Sequence, residues 1–197
     1  MPRPRFLLPL LICCFFWAIP SPACAQSTRD QAILLVASPE LRDPNFAHAV
    51  VLVLFPEGGG PLGVILNRQT RVTLAQAFSD QPVLSKRTEN VYFGGPVQVN
   101  ALMFLVHSAS APRNSLPVLE DLYLSGDGGL LDELLAQKID PMERFFVGYS
   151  GWAPAQLDTE IAVGGWYVLP ADVDTVLKAD PKTMWRILLA RATAVKT

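Results

Sequence analysis

Two short, uninterrupted runs of apolar residues constrain the fold of this chain more than any other feature. They span residues 32–37 and 50–55, and neither shows the alternation that marks a strand with one solvated face. Runs of this length are typical of strands covered on both faces. A turn rich in glycine and proline follows at 56–61, and a third apolar run follows at 62–66. The second and third strands are therefore predicted to form an antiparallel hairpin.

The rest of the chain alternates strand-like and helix-like segments without an internal repeat. Further strands are predicted at 91–93, 101–107, 122–125, 144–148 and 166–169, with a polar loop from 108 to 116. Helices are predicted at 74–78, 130–138, 154–161 and after an N-cap at Asp180. In the last helix one face should pack on the sheet through Met184, Trp185, Leu188 and Ala192. Hairpins mixed with helices predict an α/β protein of the α+β type, with a mixed, partly antiparallel sheet.

The first 25 residues have the pattern of a secretory signal peptide, followed by one domain over residues 26–197. A basic start, an apolar core and a cleavage site of small residues are formed by Arg3 and Arg5, by residues 6–19, and by Ala23 and Ala25. The apolar core is too short to span a bilayer comfortably, so no membrane span is expected after cleavage. Lipidation at Cys24 is an alternative, although Ser21 stands where a bulky aliphatic residue is expected. The pattern indicates export to the bacterial periplasm.

Cleavage after residue 25 would change the charge and remove every thiol. It leaves 172 of the 197 residues and takes away two of the 16 basic residues and none of the 18 acidic ones, for a net charge of -4. An acidic domain without a basic run is poorly suited to bind nucleic acid. The cysteines at 13, 14 and 24 all precede the cut, which excludes disulfides and thiolate catalysis in the mature chain.

Five blocks of residues, in order along the chain, resemble the YqgE/AlgH family. They are Asp43-Pro44-Asn45-Phe46, Gly63-Val64-Ile65-Leu66-Asn67-Arg68, Gly94-Gly95-Pro96-Val97, Gly148-Tyr149-Ser150-Gly151-Trp152, and Gln156-Leu157 with Glu160-Ile161 before Trp166. The resemblance covers roughly residues 31–191 and implies a bifurcated mixed sheet curled into a pseudo-barrel. It also implies the family's label of transcriptional regulator. This chain departs from the family pattern at Phe55-Pro56, Gln69 and Ala155, and in its leader.

Ser150 and His107 are the candidate catalytic residues for a serine-type hydrolase. Ser150 stands between Gly148-Tyr149 and Gly151, where a strand is predicted to turn into a helix, as in a nucleophile elbow. His107 ends an apolar strand and would serve as the base. The structural alternatives are that Ser150 caps the helix while Gly151 makes the turn, and that His107 is simply hydrogen-bonded at its strand end. Trp152 stands where the elbow motif requires glycine.

Cofactor and metal sites are not indicated by the sequence. His48 and His107 are the only histidines and lie 59 positions apart. Carboxylates between Asp121 and Asp132 do not have the spacing of a calcium-binding loop. The three glycines at 58–60 lack the lysine of a phosphate-binding loop and are interpreted as a hairpin turn. No cofactor and no metal are therefore expected.

The family's motifs, placed on this chain, predict a cleft in an exported binding or regulatory module. The expected ligand-binding residues are Asp43, Asn67, Arg68, Gly94, Gly95, Tyr149, Gly151, Trp152 and Gln156. Arg68 would hold an anionic group of a small ligand or partner protein, assisted by backbone amides near Pro154. Asn67 and Arg68 fit a capped turn equally well, and Trp152, Trp166 and Trp185 are interpreted as packing residues. The hydrolase and the transcriptional regulator remain the alternative functions.

Overall fold

The structure, a computed structural model, describes residues 32–136 and 142–194. The predicted signal peptide, including Cys24, lies outside these residues. The strands are β1 (Ile33–Ala37), β2 (Val50–Leu54), β3 (Leu62–Ile65), β4 (Gln69–Thr73), β5 (Asn90–Phe93), β6 (Val97–His107), β7 (Ser115–Leu119), β8 (Leu122–Ser125), β9 (Met142–Gly151) and β10 (Trp166–Pro170). The helices are α1 (Leu74–Ala77), α2 (Gly128–Ala136), α3 (Gln156–Ala162), α4 (Val173–Leu177) and α5 (Pro181–Ala194), with a short 3-10 helix at Pro82–Leu84.

One strongly curled sheet runs through all ten of these strands and forms a half-barrel. Its main order is β10-β1-β2-β3-β9-β6-β8-β7, and β4 joins through β5, which pairs with β9. The β5–β9 pair is parallel, whereas the other strand pairs described are antiparallel. Since β3 and β5 both pair with β9, the sheet divides there. The predicted mixed, partly antiparallel sheet with helices packed against it is confirmed.

The central strands are buried on both faces, as their uninterrupted apolar runs predict. In β2 every residue is fully or almost fully buried, with Val50, Leu52 and Leu54 in one cluster and Val51 and Val53 in another. Because side chains alternate across a strand, one apolar run supplies two cores. The two faces are covered by different helices, and the predicted face of α5 closes one of them through Met184, Leu188 and Ala192, with Trp185 partly buried.

Several segments differ from the sequence predictions, among them the following three. The polar loop expected to reach residue 116 gives way at Ser115 to β7. β9 continues through Gly151 instead of ending at Gly148, because its last residues pair with β3 and β6. The helix expected from Pro154 begins at Gln156, because Ala155 has a φ of 63°, in the left-handed region. Within residues 32–136 and 142–194, the helices are too short or too polar to cross a bilayer.

Candidate functional site

Asn67 directly follows β3 and fastens it to the segment that leads into β2. Its Oδ1 accepts a hydrogen bond from the Val50 amide at 2.9 Å, and its Nδ2 donates to the His48 carbonyl at 2.9 Å. Val50 is fully buried, so its amide has no access to water and depends on a protein acceptor. His48 has a φ of 57°, which places it among the strained positions of the chain. The Asn67 amide therefore fixes the path of this loop.

Arg68 binds the same loop at an earlier point along the chain, before His48. One of its guanidinium nitrogens donates to the carbonyl oxygens of Pro44 and Ala47, each at 3.1 Å, and its Cζ lies 6.0 Å from the ring centroid of Phe93. Burial lowers the pKa of Arg68 from its ordinary value, and the nearby negative charge of Asp43 acts in the opposite direction. The two charged residues expected to bind a ligand thus lie near each other, and Arg68 is engaged by main-chain oxygens.

The backbone of the Gly94–Gly95 turn packs directly against the backbone at the end of β9. Gly94 accepts two hydrogen bonds on its carbonyl oxygen, from the Ile65 amide at 3.0 Å and from the Ser150 hydroxyl at 3.1 Å. A Cβ added to Gly95 would lie 2.3 Å from the carbonyl carbon of Tyr149, far inside contact distance. Only glycine permits this close packing. Through it the ends of β3, β5 and β9 are locked together.

A carboxylate bound by two tryptophans joins this region to α3. The indole nitrogens of Trp152 and Trp166 both donate to one oxygen of Glu160, at 3.0 and 2.9 Å, and Gln156 donates to the other at 2.9 Å. Phe46, from the loop held by Arg68, packs against both indole rings at 6.1 and 5.6 Å between centroids. Trp152 and Trp166 are both buried, in agreement with their interpretation as packing residues, and Trp152 stays a predicted ligand contact. Glu160 was missed as a site residue, although its position four residues after Gln156 places both on one helix face.

Ser150 does not occupy the place that the sequence predicted. It lies within β9, is fully buried, and donates its hydroxyl proton to the Gly94 carbonyl. Since the strand continues through Gly151 and α3 begins at Gln156, the expectation that Ser150 caps a helix and Gly151 forms the turn is wrong. A serine in this position is not raised above the sheet as a nucleophile elbow requires.

His107 and Ser150 lie at opposite ends of the β6–β9 ladder. Val106, next to His107, pairs with Met142, and Ser150 lies eight residues further along β9. At about 3.3 Å per residue, eight residues of extended strand span up to about 26 Å, and such a separation is too far for proton transfer between the two. His107 instead has its Nδ1 atom 3.4 Å from a carboxylate oxygen of Asp121, an orienting acid that the sequence did not reveal.

The predicted cleft residues therefore form a frame that excludes His107. The loop with Asp43, the Asn67–Arg68 turn, the Gly94–Gly95 turn and β9 meet directly, and the Phe46 ring links them to Trp152 and Gln156. Tyr149 pairs with Val97, and Gly151 is exposed and pairs with Leu62. On the part of the chain that the structure describes, no three His, Cys, Asp or Glu side chains are grouped to hold a metal ion.

The chain is similar to proteins of one family along nearly its whole described length. The family model described as AlgH-like (DUF179) matches residues 34–195. A UPF0301 protein of Myxococcus xanthus is 37% identical over 155 residues, covering 77% of this chain and 84% of that protein. A UPF0301 protein of Streptomyces avermitilis is 39% identical over 164 residues, covering 80% and 84%.

Two solved structures share the fold. The solution structure of the AlgH protein from Pseudomonas aeruginosa superposes with a TM-score of 0.68 at 26% identity, covering 85% of this chain and 90% of that one. A crystal structure of a Corynebacterium diphtheriae protein superposes with a TM-score of 0.63 at 24% identity, covering 81% and 85%. The latter likeness concerns the fold alone.

Proposed function

The chain belongs to the AlgH-like family, and from that premise we propose that it is an exported binding module and not an enzyme. In this proposal the frame is rigid, since the Asn67–Arg68 turn, the Gly94–Gly95 turn and Ser150 hold it together. The frame holds a recognition surface in a fixed shape. Less conformational entropy is therefore lost when a ligand or a partner protein binds.

One observation carries this proposal: Asn67, Arg68 and Ser150, from two of the family's motif blocks, turn their polar side chains inward onto the main chain. The Asn67 amide, one nitrogen of Arg68 and the Ser150 hydroxyl hydrogen-bond to backbone groups at 2.9–3.1 Å, close to the typical distance of about 3.0 Å. A general base or nucleophile has to reach the reacting atom of a substrate. Groups committed to backbone partners, one of them fully buried, support a scaffold in preference to a catalytic centre.

The hydrolase alternative is tested with a fluorophosphonate probe on three proteins. Wild type, Ser150→Ala and Ser110→Ala are compared, since Ser110 is an exposed serine beside the His107 cavity and serves as the matched control. We expect no covalent labelling of the folded wild-type protein. Labelling of the wild type that disappears in Ser150→Ala but persists in Ser110→Ala would overturn the binding proposal.

Arg68 is assigned to the frame, and its predicted contact with an anionic ligand is a separate arm of the test. An anion would have to share the guanidinium with the carbonyls of Pro44 and Ala47. We expect inorganic phosphate to raise the melting temperatures of wild type and Arg68→Ala equally. A rise confined to the wild type would instead make Arg68 the anion-binding residue.

Export is supported by the basic start, apolar core and small residues at 23 and 25 of the leader. Intact-mass analysis of the native protein should find a chain that begins at Gln26, in the periplasmic fraction. A soluble cytosolic protein that still begins at Met1 would refute export. It would then favour the alternative function, that of a transcriptional regulator.

A further inference from the structure

Two irregular strand pairings face each other on the sheet beyond the frame. Between paired positions, β4 has three residues, 70–72, where β5 has only Val91, and β6 has four residues, 98–101, where β9 has only Gly148. The extra residues of β4 and β6 cannot stay in the ladder and arch outward as bulges. Gln98 has a φ of 45°, as such an arch requires. Bulges of this kind commonly redirect side chains beside binding sites.

The two bulges are the walls of one open groove of about 510 Å³. Its floor is formed by Val91 and Val147 of the parallel β5–β9 pair, and its end by Ala77, the last residue of α1, with Phe78 and Asp80 after it. Thr70 and Val72 line one wall, and Val99 and Asn100 line the other. This volume lies within the range of small-molecule sites, about 300–1,000 Å³. The groove is therefore large enough for a compact organic ligand.

Each wall of the groove exposes an apolar side chain. Val72 is 43% exposed and Val99 is 52% exposed, one on each bulge. The Thr70 hydroxyl is already engaged by the main chain: it donates to the Val91 carbonyl of β5 at 2.8 Å and accepts from the Val72 amide at 3.1 Å. The bulges hold these apolar side chains apart, and the floor between them is also apolar. Covering this surface with an apolar ligand would remove it from water and lower the free energy.

Asp80 supplies the only charge in the lining. It is exposed, and the described part of the chain provides it with neither a hydrogen bond nor an ion pair. A carboxylate at the end of an apolar groove attracts a cation and repels a second carboxylate. Asn100, on the opposite bulge, adds a neutral donor and acceptor. The negative charge of the groove therefore favours a positively charged ligand.

We propose that this groove binds a small amphiphilic amine, a compound with an apolar ring or branched chain that ends in an ammonium group. The apolar body lies between Val72 and Val99 on Val91 and Val147, and the ammonium meets the Asp80 carboxylate. The inference rests on the proposed binding function and names the class of ligand for it.

The test uses three probes of one shape and different charge: 4-phenylbutylamine, 4-phenylbutanol and 4-phenylbutyrate. Each is titrated into ¹⁵N-labelled protein, and backbone amide shifts are followed by NMR. We expect the amine to shift amides of residues 70–72 and 98–100, and to bind more tightly than the alcohol, with the butyrate weakest. Shifts elsewhere on the protein, or equal affinity for amine and butyrate, would overturn the proposal.

Two pairs of variants separate the contribution of the Asp80 charge from that of the shape of the groove. Asp80→Asn should weaken amine binding on the order of fivefold, the factor for a charge pair at about 4 Å in water, and leave the alcohol unchanged. Glu57→Gln, in the exposed 56–61 turn, should alter neither. Val99→Lys should abolish amine binding, whereas Val83→Lys, at a valine of similar exposure outside the groove, should not.

The two proposals fail in different ways. If none of the three probes binds wild-type protein at millimolar concentration, or if Asp80→Asn and Glu57→Gln behave alike, the groove assignment is wrong. Neither result alters the fluorophosphonate experiment. Covalent labelling lost in Ser150→Ala would instead overturn the binding function itself, whatever the groove holds.

Discussion

Replacing Asn67 by alanine should destabilise the protein through one orphaned amide. The change removes the acceptor of the Val50 N–H and the donor to the His48 carbonyl. The two losses are unequal, because Val50 is fully buried whereas His48 is exposed and water can replace its partner. An unsatisfied buried donor costs about 1–3 kcal/mol, so the loss of unfolding free energy should be about 2 kcal/mol. For a domain of this size that corresponds to a fall in melting temperature of about 4–8 °C.

Urea denaturation followed by circular dichroism measures this loss. Asn67→Asp keeps an acceptor for Val50 and loses only the donor, so it should lose less than half as much stability as Asn67→Ala. Asn90→Ala, at an exposed position of β5, is the control and should be close to neutral. If Asn67→Ala costs less than about 0.5 kcal/mol, or if Asn67→Asp is equally harmful, then the Val50 amide is not what Asn67 satisfies.

Three further predictions concern the frame and α2. Ser150→Ala should cost about 1 kcal/mol, because the Gly94 carbonyl keeps its bond from Ile65; a urea-measured loss above about 3 kcal/mol would contradict this. Gly95→Ala should abolish folding, judged by soluble yield and circular dichroism, since the new Cβ would meet the Tyr149 backbone; Gly128→Ala, where a Cβ meets nothing within 4 Å, should fold normally. The side-chain hydrogen bond from Asn114, more than the Leu130 amide, lowers the pKa of Asp127 below its ordinary 3.8. Its contribution is therefore present above that value and lost as pH falls through the lower folded-state pKa, so the stability gap between wild type and Asp127→Asn should close in acid.

The elements that the sequence predicted well are those whose signals are local. The β8 strand has the bounds 122–125 expected from its apolar run, and α5 begins after Asp180 with Pro181 in its first turn. β7 was missed because its residues become a strand only by pairing with β8, and Pro117 argued against one. β4, at Gln69–Thr73, was missed because it is polar and bulged and pairs only with β5.

The sequence predicted which residues lie together in the site better than it predicted their roles. The family's blocks named Asn67, Arg68, Gly94 and Gly95, and these residues do meet. Their roles depend on partners far away in sequence, such as Gly94 for Ser150, 56 positions apart. Asp121 as the partner of His107 had no sequence signal, because only the pairing of β6 with β8, which sets His107 opposite Leu122, brings Asp121 beside it.

By itself the sequence determined the family, the alternation of strands and helices, and which runs are buried, because hydrophobic periodicity and helix caps act over a few neighbouring residues. Only the tertiary structure decided whether Ser150 would be exposed or sealed, and where the bulges of β4 and β6 would open a groove. Hydrogen bonds and strand registers across the sheet join residues tens of positions apart. Their energies depend on how the chain crosses itself, as the Gly95 backbone does against β9, and this is a property of the packed molecule.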